Sequence, residues 1–164
     1  MTRVLTPAEL AADCDCRSGS RRGERMSNAL AIAEFLAAAW RLSGDDDQIP
    51  TSHGILDAAL FAMSEDLAEV PGGPLTFALD SGGRVWRERE EVLSAAQEAG
   101  LTSEPNPSYR TTQVQISGWA AKRVLYGLEV DPGRTVEFGR RLRAEVERAR
   151  QVLSEERRGL DIFA

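Results

Sequence analysis

The chain is 164 residues long, with 42% apolar and 28% charged residues, which fits one globular domain or two small repeats around a shared core. Its formal net charge of -6 argues against sequence-independent binding of nucleic acid, because such binding needs a basic face that displaces counterions. That balance leaves room for a local basic patch.

Residues 1–25 read as a flexible leader. Thr6-Pro7-Ala8-Glu9 has the form of a capping box, which predicts a short helix over about residues 7–13. The CDCRSGSRRGER that follows is polar and unpatterned, as loops are. Cys14 and Cys16 are the only cysteines. Two thiols make no disulfide framework, so a reducing cytoplasm is the default compartment. They also fall short of the four ligands of a structural zinc site, and no metal is expected. No signal-peptide pattern opens the chain. A purine-rich ribosome-binding sequence ahead of a start codon would translate much like Arg-Arg-Gly-Glu-Arg, residues 21–25, so Met26 is the expected true start. The intact mass of the native protein tests this.

Ser27 is the expected N-cap of a helix running to about Leu42. That helix is apolar on almost every side, which marks it as central to the core. Its run ALAIAEFLAAAW, residues 29–40, is too short to span a bilayer and carries Glu34. Ser43-Gly44 and the aspartates 45–47 end it. Ile55, Leu56, Ala59, Leu60, Met63 and Leu67 then share one face of a second helix, stopped by Pro71-Gly72-Gly73-Pro74. Residues 75–87 admit two readings. Alternation around Asp-Ser-Gly-Gly reads as a β-hairpin, whereas Pro74 reads as the start of a short helix ending at Gly82 or Gly83.

Residues 88–99 read as a helix closed by Gly100, and the proline-bearing 101–111 as a linker. TTQVQI, 111–116, is a short strand or an extended lead into a helix over 119–129, which holds the sole lysine, Lys122. Asp131-Pro132-Gly133 reads as a turn. The last helix, about 134–157, puts Phe138, Leu142, Val146, Ala149 and Leu153 on one stripe, with arginine and glutamate on its solvated faces. Leu160, Ile162 and Phe163 form an apolar tail expected to pack on the core. The fold class is mainly α, a helical repeat-like bundle, becoming α+β if 75–87 is a hairpin.

The chemistry of common active sites is missing. The one lysine lies in Ala-Ala-Lys-Arg, not at the end of a phosphate-binding glycine loop. No G-x-G-x-x-G follows a strand, and G-x-S-x-G is absent. A Ser or Cys nucleophile would have to use His53, the only histidine. His53 fits better as part of the first turn of a core helix, where the helix dipole disfavours its charged form. The carboxylates of 45–47, Glu65-Asp66 and Glu88–Glu91 imply no catalytic dyad and are read as solvated faces. No catalytic residue, cofactor or metal is assigned.

Ile49-Pro50-Thr51-Ser52-His53, followed by Ile55-Leu56 and Ala59-Leu60, resembles the Ile-Gly-Thr-Glu-His opening of the Leu-rich helix in the Clp N-terminal repeat. Ala31, Ala33, Leu36, Ala39 and Leu42-Ser43-Gly44 match the Ala/Leu-rich helix that precedes it, and 77–83 resembles the family's short helix ending in Leu-Gly. A second opening, Ile116-Ser117-Gly118-Trp119-Ala120-Ala121-Lys122-Arg123-Val124-Leu125, is similar to Phe-Thr-Pro-Arg-Ala-Lys-Arg-Val-Leu. The resemblance implies a first helical repeat over 26–100 and a degenerate second over 112–164. It also implies a partner surface formed by Thr51, Ser52, His53, Ile116, Trp119 and Lys122. Ser52 replaces the family's glutamate, which removes the carboxylate that pairs with a phosphorylated arginine in some members. Thr51 is the expected N-cap of the second helix.

Two functions follow as expectations. One is a non-enzymatic protein- or peptide-binding module resembling a stand-alone Clp ATPase N-domain, adaptor-like in proteolysis, with Clp protease components as partners and no membrane. The alternative is a winged-helix DNA-binding regulator with 75–87 as its wing and the helix over 52–67 in a major groove. That helix carries Asp57, Glu65 and Asp66 and no basic residue, which is poor for phosphate contact. Salt-dependent binding of duplex DNA separates the two.

Overall fold

The computed structural model describes residues 28–52, 54–81, 83–104 and 111–161, with backbone alone for Glu69 and residues 157–161. The leader helix, Cys14, Cys16, the Ser27 cap, His53 and the tail residues 162–164 lie outside the described residues, as does the side chain of Leu160.

Helix α1, residues 28–43, is the centre of the core. Ile32, Phe35, Leu36 and Trp40 are buried, and Ala37, Ala38 and Ala39 are almost inaccessible. Small residues on several sides of one helix let neighbours approach from all of them, as the all-round apolar pattern predicts. A short strand β1 (Gln48–Pro50) leads to α2 (Ile55–Ala62). The sequence periodicity carried this helix on to Leu67. Instead the chain tightens through Met63 N–H to the Leu60 carbonyl and Ser64 N–H to the Phe61 carbonyl, and a 3₁₀ turn follows at Asp66–Glu69. Met63, Leu67 and Val70 stay buried because the tighter winding keeps turning apolar positions inward.

Strands β2 (Phe77–Asp80) and β3 (Gly83–Trp86) form an antiparallel hairpin, pairing Phe77 with Trp86 and Asp80 with Gly83. The fold is therefore mainly α with a short β-hairpin, and the short-helix reading of 77–83 is corrected. Phe77 meets Phe61 of α2 edge-on at 5.4 Å, and buried Trp86 fills the space beneath, so side-chain packing selects strand over helix.

Helix α3 (Arg89–Glu98) ends at Gly100 with φ 68°, where Leu101 N–H donates to the Ala96 carbonyl. Residues 101–103, read as the start of a linker, lie along β4 (Thr111–Gln113). Ser103 N–H donates to the Gln113 carbonyl, Gln115 N–H donates to the Leu101 carbonyl, and Thr102 bridges Val114. The other edge of β4 pairs with β1, Ile49 opposite Thr112. β4 is thus the middle strand between β1 and 101–103.

Helix α4 (Gly118–Gly127) starts at Ser117, whose Oγ accepts from Ala120 N–H at 3.1 Å. Helix α5 (Pro132–Asp161) begins two residues earlier than its apolar stripe suggested. Asp131-Pro132-Gly133 is a helix start rather than a turn: Asp131 Oδ2 accepts from Arg134 N–H, and Pro132 takes the first helical position. α5 lies across α1 and α2. Phe138 meets Phe35 at 5.0 Å, and Gly139 lies against the Ala39 carbonyl. Residues on both sides of the 101–111 segment therefore share one core, with Leu60, Ala121, Leu125 and Leu142 all buried in it.

Candidate interaction surface

The segment that the resemblance marked is built into the fold. Thr51 is 5% exposed, and its carbonyl accepts from Arg89 Nη2 at 2.5 Å. The same guanidinium reaches the buried Asp57 of α2 through Nη1 at 3.2 Å. Arg89 thus ties the start of α3 to α2 and to the loop before it. The expectation that Thr51 caps α2 is corrected. The cap position is Gly54, at φ 82°, with no side-chain cap, and the helix begins only at Ile55. Gly54 is the residue type that enters the left-handed region without a Cβ penalty. Ser52 is half-buried in the turn whose carbonyl accepts from Ile55 N–H. A buried threonine and a half-buried serine leave little of this segment for a partner to touch.

The second group lies on α4. Ala121 and Leu125 point into the core, both 0% exposed, and Ile116 packs half-buried beside it. The opposite face carries Trp119, Lys122, Arg123 and Tyr126, at i, i+3, i+4 and i+7, all exposed. Trp119 is 68% and Tyr126 87% exposed, and the Arg123 guanidinium lies 4.9 Å over the Trp119 ring. No carboxylate occurs in Gly118–Gly127, so this face is cationic on an acidic chain. Of the predicted partner residues, Trp119 and Lys122 belong to it. Arg123 and Tyr126 were not singled out, although their spacing from Trp119 was a legible signal.

Beyond α4 opens a cavity of about 730 Å³, between Phe35 of α1, the 3₁₀ turn, the α4–α5 turn and the first turns of α5. Phe35, Phe138 and Val130 supply its apolar part. Around them stand Glu65, Asp66, Glu129, Asp131 and Glu137, five carboxylates against the guanidinium groups of Arg134 and Arg141. Arg141 is engaged by Asp66 at 2.7 Å. Glu129 turns the chain from α4 into α5 with φ 56°, where Val130 N–H donates to the Leu125 carbonyl. Glycine is the favoured residue there, and a glutamate costs about 1 kcal/mol.

Other carboxylates read as solvated have structural partners. Glu88 accepts from Thr76 N–H and its hydroxyl, Asp47 pairs with Arg41, and Asp66 holds Arg141. Arg143 is the cation that sequence reasoning missed most completely. It donates to the Trp40 carbonyl at 2.7 Å, the Asp46 carbonyl at 2.6 Å and Ser43 Oγ at 2.9 Å, with its plane 4.2 Å over Trp40. It thereby satisfies carbonyls that the end of α1 leaves open. Burial lowers its pKa, opposed by Asp46, Asp47 and Asp45. Burial also raises the pKa of Glu34. Among the described residues there is no cluster of three or more His, Cys, Asp or Glu able to hold a metal, and no helix long and apolar enough to cross a membrane.

Comparisons with protein-family models, with curated proteins and with solved structures give no match.

Proposed function

We propose that the chain is a non-enzymatic, cytoplasmic module that binds a protein or peptide partner, in a regulatory or adaptor-like role, through the outer face of α4. The observation that carries this reading is the exposed Trp119–Lys122–Arg123–Tyr126 stripe. Tryptophan, tyrosine and arginine are the residue types that dominate binding energy in protein interfaces, and two such rings held open to water on one helix face are costly to leave uncovered. The reading does not rest on the Clp resemblance. The hairpin at 77–86 leaves that likeness only the helical segments around it, so Clp components remain one class of partner to try.

The winged-helix reading gains one observation and loses another. Helix α1, strand β1, helices α2 and α3, then 101–103 and β4 with β4 in the middle, follow the order of a winged helix into which the β2–β3 hairpin is inserted between α2 and α3. The hairpin that this reading placed at 75–87 is formed, and in the observed order α3, rather than the 52–67 helix, precedes 101–103 and β4. Yet the exposed face of α3 carries Glu90, Glu91 and Glu98, which repels phosphate where such a helix must approach it. A scaffold of this shape with an acidic reading helix suits a protein partner better than DNA.

The test is site-specific photocrosslinking in extract from position 126, with position 94 on α3 as control. A partner adduct at 126 that is absent at 94, and lost in Lys122→Glu/Arg123→Glu, is expected. Equal labelling at both positions, or none at 126, overturns the reading.

A further inference from the structure

The α4 face and the acidic cavity are complementary, and only Gly127 and Leu128 separate them along the chain. One offers two aromatic rings and two cations. The other offers an apolar floor at Phe35, Val130 and Phe138, ringed by an excess of carboxylates. Its volume of about 730 Å³ is that of a site which takes a ligand of several side chains' size.

We propose that the partner covering the α4 face is a second copy of this chain, in a two-fold dimer where each α4 face enters the other copy's cavity. This rests on the interaction-face reading and names its occupant. The proximity of donor face and acceptor cavity lets a single two-fold contact use both at once, residue i meeting j and j meeting i. Each buried aromatic contributes about 150–250 Å², so four rings and the walls they cover reach the roughly 1,000 Å² that a specific interface needs. Lys122 and Arg123 would face Glu129 and Glu137, which fixes the orientation and makes the association weaken with salt. Glu129 stands at a position where glycine is sterically favoured, and in the dimer its carboxylate has a task that glycine cannot perform.

Sedimentation velocity on the full chain and on two charge-reversed variants tests this. Lys122→Glu/Arg123→Glu reverses the face, and Glu129→Lys/Glu137→Lys reverses the rim. All four residues are exposed, so folding is checked simply by circular dichroism. The wild-type chain is expected to dimerise at low salt, and each variant alone to associate at least about tenfold more weakly. Their equimolar mixture should regain the dimer, because it holds one wild-type contact and one swapped contact while each variant's own dimer holds two repulsive ones. A monomeric wild type overturns the proposal, as does a dimer that neither reversal weakens or a mixture that stays monomeric. A monomeric chain that still captures a partner from position 126 loses the dimer and keeps the interaction face, so the two failures are separable.

Discussion

Glu34 and Arg143 show how one residue's environment departs from its type. Glu34 lies on α1, which supplies more of the core than any other helix among the described residues, and burial raises its pKa above the ordinary 4.5. A carboxyl with a raised folded-state pKa binds its proton more tightly in the folded chain than in the unfolded one. The ionised form is therefore a cost to folding above that pKa, and the cost vanishes as pH falls below the unfolded value. Glu34→Gln is expected to raise the melting temperature at pH 7, with the gain shrinking to nothing in melts taken below 4.5. A gain that persists at acid pH would place the effect in packing rather than ionisation. Arg143 acts through geometry. Its guanidinium forks onto the carbonyls after α1 and stacks on Trp40, geometry that lysine cannot reproduce. Neither role is visible in a residue type: Glu34 read only as a charge in an apolar run, and Arg143 as one arginine among many on a solvated helix.

The packing of α1 against α5 shows the same gap for whole elements. Both helices were legible, α1 from its all-round apolar pattern and α5 from the Phe138–Leu142–Val146 stripe. Their closest approach depends on Gly139. A Cβ there would lie 2.2 Å from the Ala39 carbonyl oxygen and 2.7 Å from the Ser43 side chain. In an isolated helix Gly→Ala stabilises by up to about 1 kcal/mol. Here the sign reverses, and Gly139→Ala should destabilise the protein by about 2 kcal/mol through overpacking. Chemical denaturation measures this directly; a stabilised variant would mean the helices do not approach so closely. The hairpin is the other instructive element. Its alternation was as readable as its helix alternative, and the choice was made by Phe61 and the space for Trp86, partners from elsewhere in the chain.

For the whole molecule, charge and topology pull in different directions. The strand order around β4 is one that DNA-binding proteins use, but the net charge is -6 and α3 shows Glu90, Glu91 and Glu98 outward. Counterion release needs a coherent basic surface, and the described cations are largely spent. Arg89 and Arg143 hold the fold together, and Arg141 pairs with Asp66. Fluorescence anisotropy with duplex DNA is expected to show no salt-dependent binding even at low ionic strength. A steep salt slope would reinstate the regulator reading.

The amino-acid sequence by itself determined the helical class, the helices expected over about 27–42, 55–67, 88–99 and 119–129 with their ends displaced by a few residues, and the absence of familiar catalytic motifs, because period and motifs are local. It also pointed to Trp119 and Lys122, through the resemblance of residues 116–125 to a repeat opening. Only the tertiary structure decided that 75–87 is a hairpin, that Thr51 is buried, and that Arg123 and Tyr126 share the exposed α4 face. It alone assembled the acidic cavity, whose walls come from Phe35, Asp66 and Phe138. Those residues lie far apart in sequence, and what they form depends on how α5 crosses α1 and α2, which no local pattern encodes.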